Sequence, residues 1–233
     1  MGTLYMIPSS LADDSLYFPD QQTVQVIHSL RLFLAERAKT ARKFIKSTQA
    51  PYSQSEIEVL EIAKHGENDS IGIFLDEIKA GKDGGFLSEA GCPGIADPGA
   101  EVVALAHEKG IRVVPLVGPS SILLALMASG MNGQSFQFNG YLPQDKTLLQ
   151  QALLKLESDS GKRNTTQIWI ETPYRNHSML EICLNTLKSN TRFCVAAGLT
   201  SSSEMIYSAK ISAWKQSSIG ELHKIPAIFL LQA

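Results

Sequence analysis

Short apolar stretches with strand character alternate along this chain with segments in which apolar residues recur at helical spacing. This alternation is typical of parallel strands joined by crossover helices, because a parallel connection needs a dozen or more residues. The first half of the chain carries strand candidates at Leu4 to Ile7, Arg31 to Glu36, Glu56 to Ile62, Phe86 to Ser88 and Ile111 to Val117. We therefore expect an open α/β sheet there.

The same rhythm continues after residue 117, and a chain of 233 residues exceeds the roughly 100 to 200 residues of one typical domain. We predict two α/β domains, residues 1–117 and 118–233. The polar stretch from Ser158 to Thr166 is predicted to be a surface loop. The other predicted elements of the second half are helices Ser121 to Ser129, Thr147 to Glu157 and Asn176 to Lys188, and strands Phe136 to Leu142, Gln167 to Glu171, Arg192 to Leu199, Met205 to Ala209 and Ala227 to Leu231.

Two turns rich in glycine and proline stand between a predicted strand and a predicted helix. The first runs from Phe86 to Gly99, and the second is the segment from Val117 to Ser121. In the first, Asp97 can cap the following helix with Pro98 at its first position. Since both turns follow strands of one parallel sheet, they should open at the same edge, which favours a site for a small molecule.

The charge balance limits how the chain can meet nucleic acid. With 21 basic and 23 acidic side chains the net charge is -2, so general attraction to phosphate over the whole surface is excluded. The segment from Arg31 to Lys46 is locally basic, with Glu36 as its one acid. It is either an RNA contact or a solvated helix face.

The cysteines and histidines show no ligand pattern. Cys92, Cys183 and Cys194 are odd in number and lack a Cys-x-x-Cys spacing, so we expect buried thiols rather than a disulfide framework or a zinc site. The histidines are scattered, and no metal is predicted. No run of about 18 apolar residues predicts a membrane span, and a cytoplasmic protein is expected.

The central motifs resemble a known family. Leu87 to Gly99 reads Leu-Ser-Glu-Ala-Gly-Cys-Pro-Gly-Ile-Ala-Asp-Pro-Gly, and Gly110 to Ser120 reads Gly-Ile-Arg-Val-Val-Pro-Leu-Val-Gly-Pro-Ser. Fainter similarities lie at Leu4 to Pro8, Asn139 to Pro143 and Glu171 to Arg175. Together these segments resemble the tetrapyrrole-methylase superfamily of S-adenosylmethionine-dependent methyltransferases, and within it the ribosomal RNA small subunit methyltransferase I branch.

The resemblance implies two α/β domains with a cofactor cleft between them, a homodimer, and S-adenosylmethionine as cofactor. Such a sulfonium cofactor needs no metal and no phosphate-binding Gly-x-Gly-x-x-Gly pattern. The residues that match the family's cofactor positions are Gly91, Cys92, Ile95, Ser120, Ser121, Tyr141, Leu142, Glu171, Leu199, Pro226 and Ala227.

Several of these residues also admit a purely structural interpretation. Gly91 can simply make a tight turn, Ser120 can simply cap its helix, and Leu142 and Leu199 are residue types of the core. No catalytic residue is assigned. Asp97 and Glu171 are candidates for a general base, although the first can be a cap and the second can pair with Arg175.

Three departures from the branch's usual motifs bear on the methyl acceptor rather than on the cofactor. They are Pro8 to Asp13, Glu36 to Thr40 and Ala197 to Ser201. The expected function is that of a ribosomal RNA 2′-O-methyltransferase, and a methyltransferase of this type with a changed acceptor is included in the expectation. RNA is expected to contact the segment from Arg31 to Lys46. Methylation of a tetrapyrrole, and a non-catalytic module that binds S-adenosylmethionine, stay open as alternatives.

Overall fold

The structure is a computed structural model, and it describes residues 1–15, 17–62, 70–216 and 220–233. The chain divides into two compact units, Met1–Ser120 and Ser121–Ala233. Within the described ranges, no helix is both long enough and apolar enough to cross a bilayer.

The first unit is built on a five-stranded sheet in the order β3-β2-β4-β1-β5. All the pairings in this sheet are parallel, as the alternating sequence pattern predicts. The predicted strands are found with ends displaced by one to a few residues. The strands are β1 (Thr3–Ile7), β2 (Leu32–Ala35), β3 (Glu58–Glu61), β4 (Gly84–Leu87) and β5 (Arg112–Pro115).

Apolar side chains cover both faces of this sheet. Leu34 and Phe86 belong to one buried cluster, while Phe33 and Leu87 belong to a second cluster, because successive side chains of a strand point to opposite faces. The crossover helices supply the other half of each cluster. They are α1 (Gln21–Ser29), α2 (Ala38–Ser47), α3 (Ser70–Lys79) and α4 (Gly99–Glu108).

Helix α1 has no counterpart among the predicted elements. Asp20 is its N-cap, and the carboxylate accepts a hydrogen bond of 2.7 Å from the backbone N–H of Thr23. Thr23 and Ile27 are its buried residues. The apolar stripe of α1 is therefore narrow, and Asp20 as a capping residue is the clearest indication of this helix in the sequence.

The second unit contains a mixed sheet in the order β6-β7-β10-β8-β9. Among the described residues of this unit, β6 and β7 pair in parallel and the other pairings are antiparallel. The expectation of parallel strands throughout is thus wrong for this unit, because β9 follows β8 with no crossover helix between them and the last strand returns to lie between two earlier ones. The elements are α5 (Ser121–Ser129), β6 (Phe136–Tyr141), α6 (Lys146–Arg163), β7 (Thr166–Glu171), α7 (Asn176–Thr186), β8 (Arg192–Ala197), β9 (Met205–Lys210), α8 (Ile211–Trp214) and β10 (Ala227–Gln232).

The predicted surface loop from Ser158 to Thr166 is also wrong, because α6 continues to Arg163. The polar residues Glu157 and Ser160 are buried on the same face as Leu149 and Leu153. Glu157 Oε1 accepts hydrogen bonds from the Lys188 backbone N–H and the Thr191 hydroxyl. Tertiary contacts therefore hold a helical segment that composition alone marks as a loop.

Candidate functional site

The loops after β1, β4 and β5 lie side by side at the carboxyl edge of the first sheet. Strand β1 lies between β4 and β5, so the segments that leave these strands are neighbours. Ser9 and Gly91 exchange two backbone hydrogen bonds, of 3.0 Å from the Ser9 N–H and 3.2 Å from the Gly91 N–H. The loop after β1 is thereby fixed to the loop after β4.

The two predicted glycine- and proline-rich turns meet directly. The Cys92 thiol donates to the carbonyl oxygen of Pro119 at 3.3 Å, with the Gly118 carbonyl oxygen at 3.5 Å. Gly118 lies against Pro8, because a Cβ atom placed on Gly118 would come within 2.1 Å of the Pro8 Cβ. The structure thus brings together the first and second turns, and it adds the loop that begins at Pro8.

Asp97 holds the first turn closed rather than standing at the N-cap position of α4. Its Oδ1 accepts hydrogen bonds from the backbone N–H groups of Gly94, at 2.6 Å, and Gly99, at 2.9 Å. The N-cap residue is Pro98, and α4 begins at Gly99. The predicted cap at Asp97 with Pro98 as first helical residue is therefore displaced by one position, although its carboxylate does satisfy an N–H at the helix start.

Gly91 and Gly94 have backbone φ angles of 75° and 83°, in the left-handed region that favours glycine. A Cβ on Gly91 would also lie 3.0 Å from the Leu11 Cδ2 and 3.2 Å from the Pro119 carbonyl oxygen. Gly91 is therefore required by the turn itself. Ile95, which follows Gly94, is 54% exposed and presents an apolar surface beside it.

Two buried polar atoms of this region, Ser88 Oγ and Asp97 Oδ2, have no hydrogen-bond partner among the described residues. Buried polar atoms in proteins are almost always paired with protein, water or ligand. Both residues lie within the first turn, one near each end. They are the kind of groups that a bound polar molecule satisfies.

Burial shapes the acid–base properties of the site. It raises the pKa of the Cys92 thiol, and the nearby Asp97 charge adds to that effect. Burial likewise raises the pKa of Glu36, opposed by the hydrogen bond of 3.0 Å that its Oε1 accepts from the Glu89 N–H. Cys92 therefore stays a neutral thiol at neutral pH, suited to donating a hydrogen bond rather than to nucleophilic attack.

Ser120 ends the first unit and Ser121 begins α5. The backbone N–H groups of the first turn of a helix lack intrahelical partners, and they carry the positive end of the helix dipole. These N–H groups can receive a carboxylate. The position of the two serines is thus compatible with both the cofactor and the capping interpretations.

The remaining predicted cofactor residues gather at one edge of the second sheet. Ala227 pairs with Glu171 on one side and with Ala197 on the other, and the Gly198 N–H donates to the Pro226 carbonyl oxygen at 2.9 Å. Strand β6 ends at the same edge, since Tyr141 pairs with Ile170. The residues brought together in this way are Tyr141, Leu142, Glu171, Leu199, Pro226 and Ala227.

These six residues differ in how accessible they are. Tyr141 is 65% exposed, whereas Leu142 and Leu199 are buried. Leu142 also belongs to the main hydrophobic cluster of the second unit. The structural interpretation of Leu142 as a core residue is therefore supported by its packing.

Glu171 is buried, and its two carboxylate oxygens have different surroundings. Its Oε1 accepts a hydrogen bond of 2.7 Å from the Thr172 N–H. Its Oε2 lies 3.5 Å from Arg175 Nη1 as an ion pair, but makes no hydrogen bond with the described residues. The pairing with Arg175 foreseen from the sequence is present and leaves this oxygen able to accept another hydrogen bond.

The basic segment from Arg31 to Lys46 contains two arginines that contact the loop before β3, and further cations exposed on α2 and at its N-cap. Arg42 donates to the carbonyl oxygens of Gln54 and Ile57, and the Arg31 guanidinium lies 3.9 Å above the Tyr52 ring. These two side chains hold the loop that precedes β3. The exposed cations of α2 and its N-cap are Arg37, Lys39, Lys43 and Lys46.

Helix α2 starts at the same sheet edge as the first turn. It follows β2, which pairs with β4, and Arg37 Nε lies 3.9 Å from Glu89 Oε2. Helix α2 also contacts the loop from Ser9 to Asp13, since Lys43 Nζ lies 2.6 Å from Asp13 Oδ1. Sequence reasoning singled out this loop only as a departure from the family pattern; Pro8 directly after a strand was its one local signal.

Comparison with known proteins identifies a family that this chain matches over most of its length. The family model for tetrapyrrole (corrin/porphyrin) methylases matches residues 21–214. The fold also resembles the crystal structure of uroporphyrin-III-C-methyltransferase from Thermus thermophilus, with a TM-score of 0.57 and 15% identity over 99% of this chain and 92% of that chain. At this identity the likeness bears on the fold alone.

The relatives found among known proteins include several named ribosomal RNA small subunit methyltransferase I. The protein from Vibrio cholerae serotype O1 is 29% identical over 87% of this chain and 67% of its own length. The Escherichia coli O157:H7 protein is 27% identical over 91% of this chain and 72% of its own length. The Bacillus subtilis protein is 32% identical over 75% of this chain and 56% of its own length.

The matched region therefore spans 56% to 72% of the length of these relatives. The family model covers most of the chain, and the fold class and enzyme class predicted from the motifs are confirmed. The chain belongs to the tetrapyrrole (corrin/porphyrin) methylase family, whose members are methyltransferases.

Proposed function

We propose that this chain binds S-adenosylmethionine beside the turns after β4 and β5 and transfers its methyl group to RNA of the small ribosomal subunit. The relatives named ribosomal RNA small subunit methyltransferase I support the RNA acceptor over a tetrapyrrole. The contact between the Cys92 thiol and the Pro119 carbonyl oxygen carries the cofactor assignment, because it joins the two turns into one surface.

The residues on this surface fit the cofactor's chemistry. The first turn offers backbone groups and the exposed Ile95 side chain, which suits an adenosine and its apolar face. The unpaired buried atoms Ser88 Oγ and Asp97 Oδ2 add two polar positions. We propose Gly91, Cys92, Ile95, Ser120 and Ser121 as cofactor-binding residues of this surface.

In the second unit, Glu171 Oε2 is the strongest candidate for a polar contact with the ligand, because it is buried and makes no hydrogen bond with the described residues. Tyr141, Pro226 and Ala227 stand at the same sheet edge. We propose this edge as the second group of cofactor-binding residues, together with Leu142 and Leu199, whose contribution is packing.

When bound, S-adenosylmethionine supplies a methyl group already activated on a sulfonium. The chain's own task is then to orient donor and acceptor and to exclude water, which accounts for much of the catalysis of such transfers. The neutral Cys92 thiol fixes the position of the second turn by its hydrogen bond. Asp97 fixes the first turn through Gly94 and Gly99.

The exposed cations of α2 support RNA as the acceptor. Arg37 is within 3.9 Å of Glu89, two residues before Gly91, so the basic helix begins beside the proposed donor surface. Phosphate contacts by such side chains position an RNA strand without reading its sequence. These cations are compatible with an RNA acceptor, but they would also attract the acid side chains of a tetrapyrrole, so the preference for RNA rests on the named relatives.

The cofactor assignment is tested by titration calorimetry of the purified chain with S-adenosylmethionine, with circular dichroism to show that the protein is folded. We expect saturable binding by the folded chain. Folded protein that shows no heat of binding would refute the methyl-transfer proposal and the non-catalytic binding alternative together. The homodimer implied by the family stays a prediction, to be checked by light scattering.

A further inference from the structure

The one acidic side chain of the basic segment stands at the carboxyl edge of the first sheet. Glu36 follows directly after β2, and β2 pairs with β4, the strand that leads into the first turn. Its Oε1 accepts a hydrogen bond of 3.0 Å from the backbone N–H of Glu89. The Glu36 carboxylate is therefore fixed to the first turn, two residues before Gly91.

The other oxygen of this carboxylate is available to a ligand. Within the described part of the chain, Glu36 Oε2 makes no hydrogen bond or ion pair, and the side chain keeps part of its surface exposed. A general base needs a lone pair held within hydrogen-bond reach of the proton that it removes. One oxygen of Glu36 is held by the backbone, and the other is open, which meets this requirement.

The charges that act on Glu36 come from its own segment and from the first turn. Partial burial raises the pKa of the Glu36 carboxyl above its ordinary value, and the hydrogen bond from the Glu89 N–H opposes this effect. The Asp97 and Glu89 charges raise the pKa further, whereas Arg37 lowers it. A base of raised pKa takes up a proton more readily, provided that it is ionised at the working pH.

The two candidate bases named from the sequence have less suitable surroundings. Asp97 Oδ1 holds two backbone N–H groups, and Asp97 Oδ2 is buried. Glu171 belongs to the second unit, and its Oε2 already faces Arg175 Nη1 at 3.5 Å. Among these three carboxylates, Glu36 is the one that presents an open oxygen without a cation beside it.

A second polar group at the same edge lacks a partner. Ser88 is 6% exposed, and its Oγ makes no hydrogen bond with the described residues. Because Leu87 pairs with Ala35, Ser88 follows β4 beside the position where Glu36 follows β2. A buried hydroxyl without a partner beside an open carboxylate oxygen points to a polar group of a ligand at this edge.

We propose that Glu36 is the general base of the methyl transfer and accepts the proton of the attacking hydroxyl group of the RNA. This inference rests on the proposed function, since it assigns a residue to the same reaction. A hydroxyl oxygen is a weak nucleophile until its proton is taken by a positioned base. Its lone pair forms the bond to the methyl carbon, and the electrons of the broken carbon–sulfur bond stay on the sulfur, which becomes a neutral thioether. The proton passes to Glu36 Oε2 and then to water.

The test is the pH dependence of single-turnover methylation, with the full chain, radiolabelled S-adenosylmethionine and unmethylated small ribosomal subunits. We expect the wild-type rate to rise with pH as Glu36 loses its proton and to level off once it is ionised. The midpoint of this rise should lie above the ordinary range of a glutamate, because the pKa of Glu36 is raised.

The test variant is Glu36→Gln, which keeps an oxygen for the Glu89 N–H but has no carboxylate to accept a proton. We expect its rate to fall by about 10²-fold to 10⁴-fold, with the levelling-off at high pH lost. Its affinity for S-adenosylmethionine, measured by calorimetry, should stay within about twofold of wild type. Added acetate should restore activity to Glu36→Ala in proportion to its concentration, whereas chloride at the same ionic strength should not.

The matched control is Glu61→Gln. Glu61 follows the same pattern on the neighbouring strand β3, where its Oε2 accepts from the Ala38 N–H at 2.8 Å. The control therefore removes the same charge from a carboxylate that also holds one backbone N–H, further from the first turn. We expect it to keep the wild-type pH profile and a rate within about twofold of wild type.

A wild-type rate in Glu36→Gln would overturn the assignment of the base while methyl transfer itself stands. A slow Glu36→Gln variant with the wild-type pH profile, or a Glu36→Ala variant that acetate does not restore, would mean that Glu36 only supports the first turn, and would overturn the assignment as well. Wild-type protein that binds the cofactor but transfers no label would refute the proposed function together with its base.

Discussion

The backbones of Ser9 and Gly91 are joined by two reciprocal hydrogen bonds, of 3.0 and 3.2 Å. This short antiparallel bridge connects the loop after β1 to the turn after β4. The first loop lines a cavity of about 370 Å³ in the first unit, and the second forms the proposed donor surface. A substitution that displaces one of these loops is therefore expected to displace the other as well.

Replacement of Gly118 by valine tests how closely the loops must approach. A Cβ at Gly118 would lie 2.1 Å from the Pro8 Cβ and 2.4 Å from its Cγ, and the proline ring cannot rotate away. We expect a loss of about 1–3 kcal/mol in the free energy of unfolding. We also expect affinity for S-adenosylmethionine to fall about tenfold or more, measured by calorimetry.

Gly133→Ala is the matched control, because nothing lies within 4 Å of a Cβ at Gly133. It should unfold within about 0.5 kcal/mol of the wild-type chain, as surface substitutions usually do. It should also keep the wild-type cofactor affinity. If Gly118→Val bound the cofactor as tightly as this control, the close packing of Gly118 on Pro8 would not matter for the donor surface.

Thiol chemistry offers a pH-dependent test. Burial raises the pKa of Cys92 above its ordinary value and that of Cys194 to about 12, and it raises the pKa of Cys183 further. A raised pKa lowers the thiolate fraction at a given pH, so alkylation of the folded chain should be slow near neutral pH and accelerate as the pH rises.

We expect iodoacetamide to modify Cys92 first, since Cys183 and Cys194 are buried whereas Cys92 is only half-buried. Peptide mass spectrometry over a range of pH values measures the rates. S-adenosylmethionine should slow the reaction at Cys92. Equal modification of Cys183 in the folded chain, or no protection of Cys92 at saturating cofactor, would contradict this assignment.

The cations of the basic segment should separate into two classes. Lys39→Ala and Lys46→Ala remove exposed charges, and each is expected to reduce the salt dependence of RNA binding by about one ion with little change in stability. Arg42→Ala removes donors to the Gln54 and Ile57 carbonyl oxygens. We expect it to lower the free energy of unfolding by about 1–3 kcal/mol.

Salt titrations of RNA binding and urea unfolding curves measure the two effects. Lys155→Ala serves as the control, because Lys155 is exposed on α6 of the second unit. It should leave both the salt slope and the stability near their wild-type values. A wild-type salt slope in the combined Lys39→Ala and Lys46→Ala variant would show that RNA does not contact this face of α2.

Much of the first unit was predictable from the sequence, because its parallel strands are short apolar runs punctuated by glycine and proline. The two turns at Gly91 and Gly118 were likewise visible, since their strands precede them directly. The contact between the two turns was not predictable, because the hydrogen bond from the Cys92 thiol to the Pro119 carbonyl oxygen depends on the order of strands in the sheet.

The second unit was harder to predict for a physical reason. Its last strand, β10, lies between β7 and β8, and nothing local in an apolar run from Ala227 to Gln232 specifies antiparallel partners. The end of α6 could not be predicted from local sequence either. Glu157 is buried where it accepts hydrogen bonds from residues 188 and 191, which are distant in sequence.

Glu157 therefore gives a direct test of this tertiary origin. Its Oε1 accepts from both the Lys188 N–H and the Thr191 hydroxyl, so Glu157→Ala leaves buried donors unpaired. We expect a loss of about 2–4 kcal/mol in the free energy of unfolding, by urea titration. Glu181→Gln, on the exposed face of α7, should change it by less than about 0.5 kcal/mol. A loss of the same small size in Glu157→Ala would mean that these bonds do not hold the end of α6.

The proposed reaction is tested most directly by offering S-adenosylmethionine with a radiolabelled methyl group, and the full chain, to unmethylated small ribosomal subunits and to a uroporphyrin-type tetrapyrrole in parallel. We predict that the label enters the ribosomal RNA and not the tetrapyrrole. Label on the tetrapyrrole alone, or folded and cofactor-bound protein that labels neither acceptor, would contradict the assignment of this chain as an RNA methyltransferase.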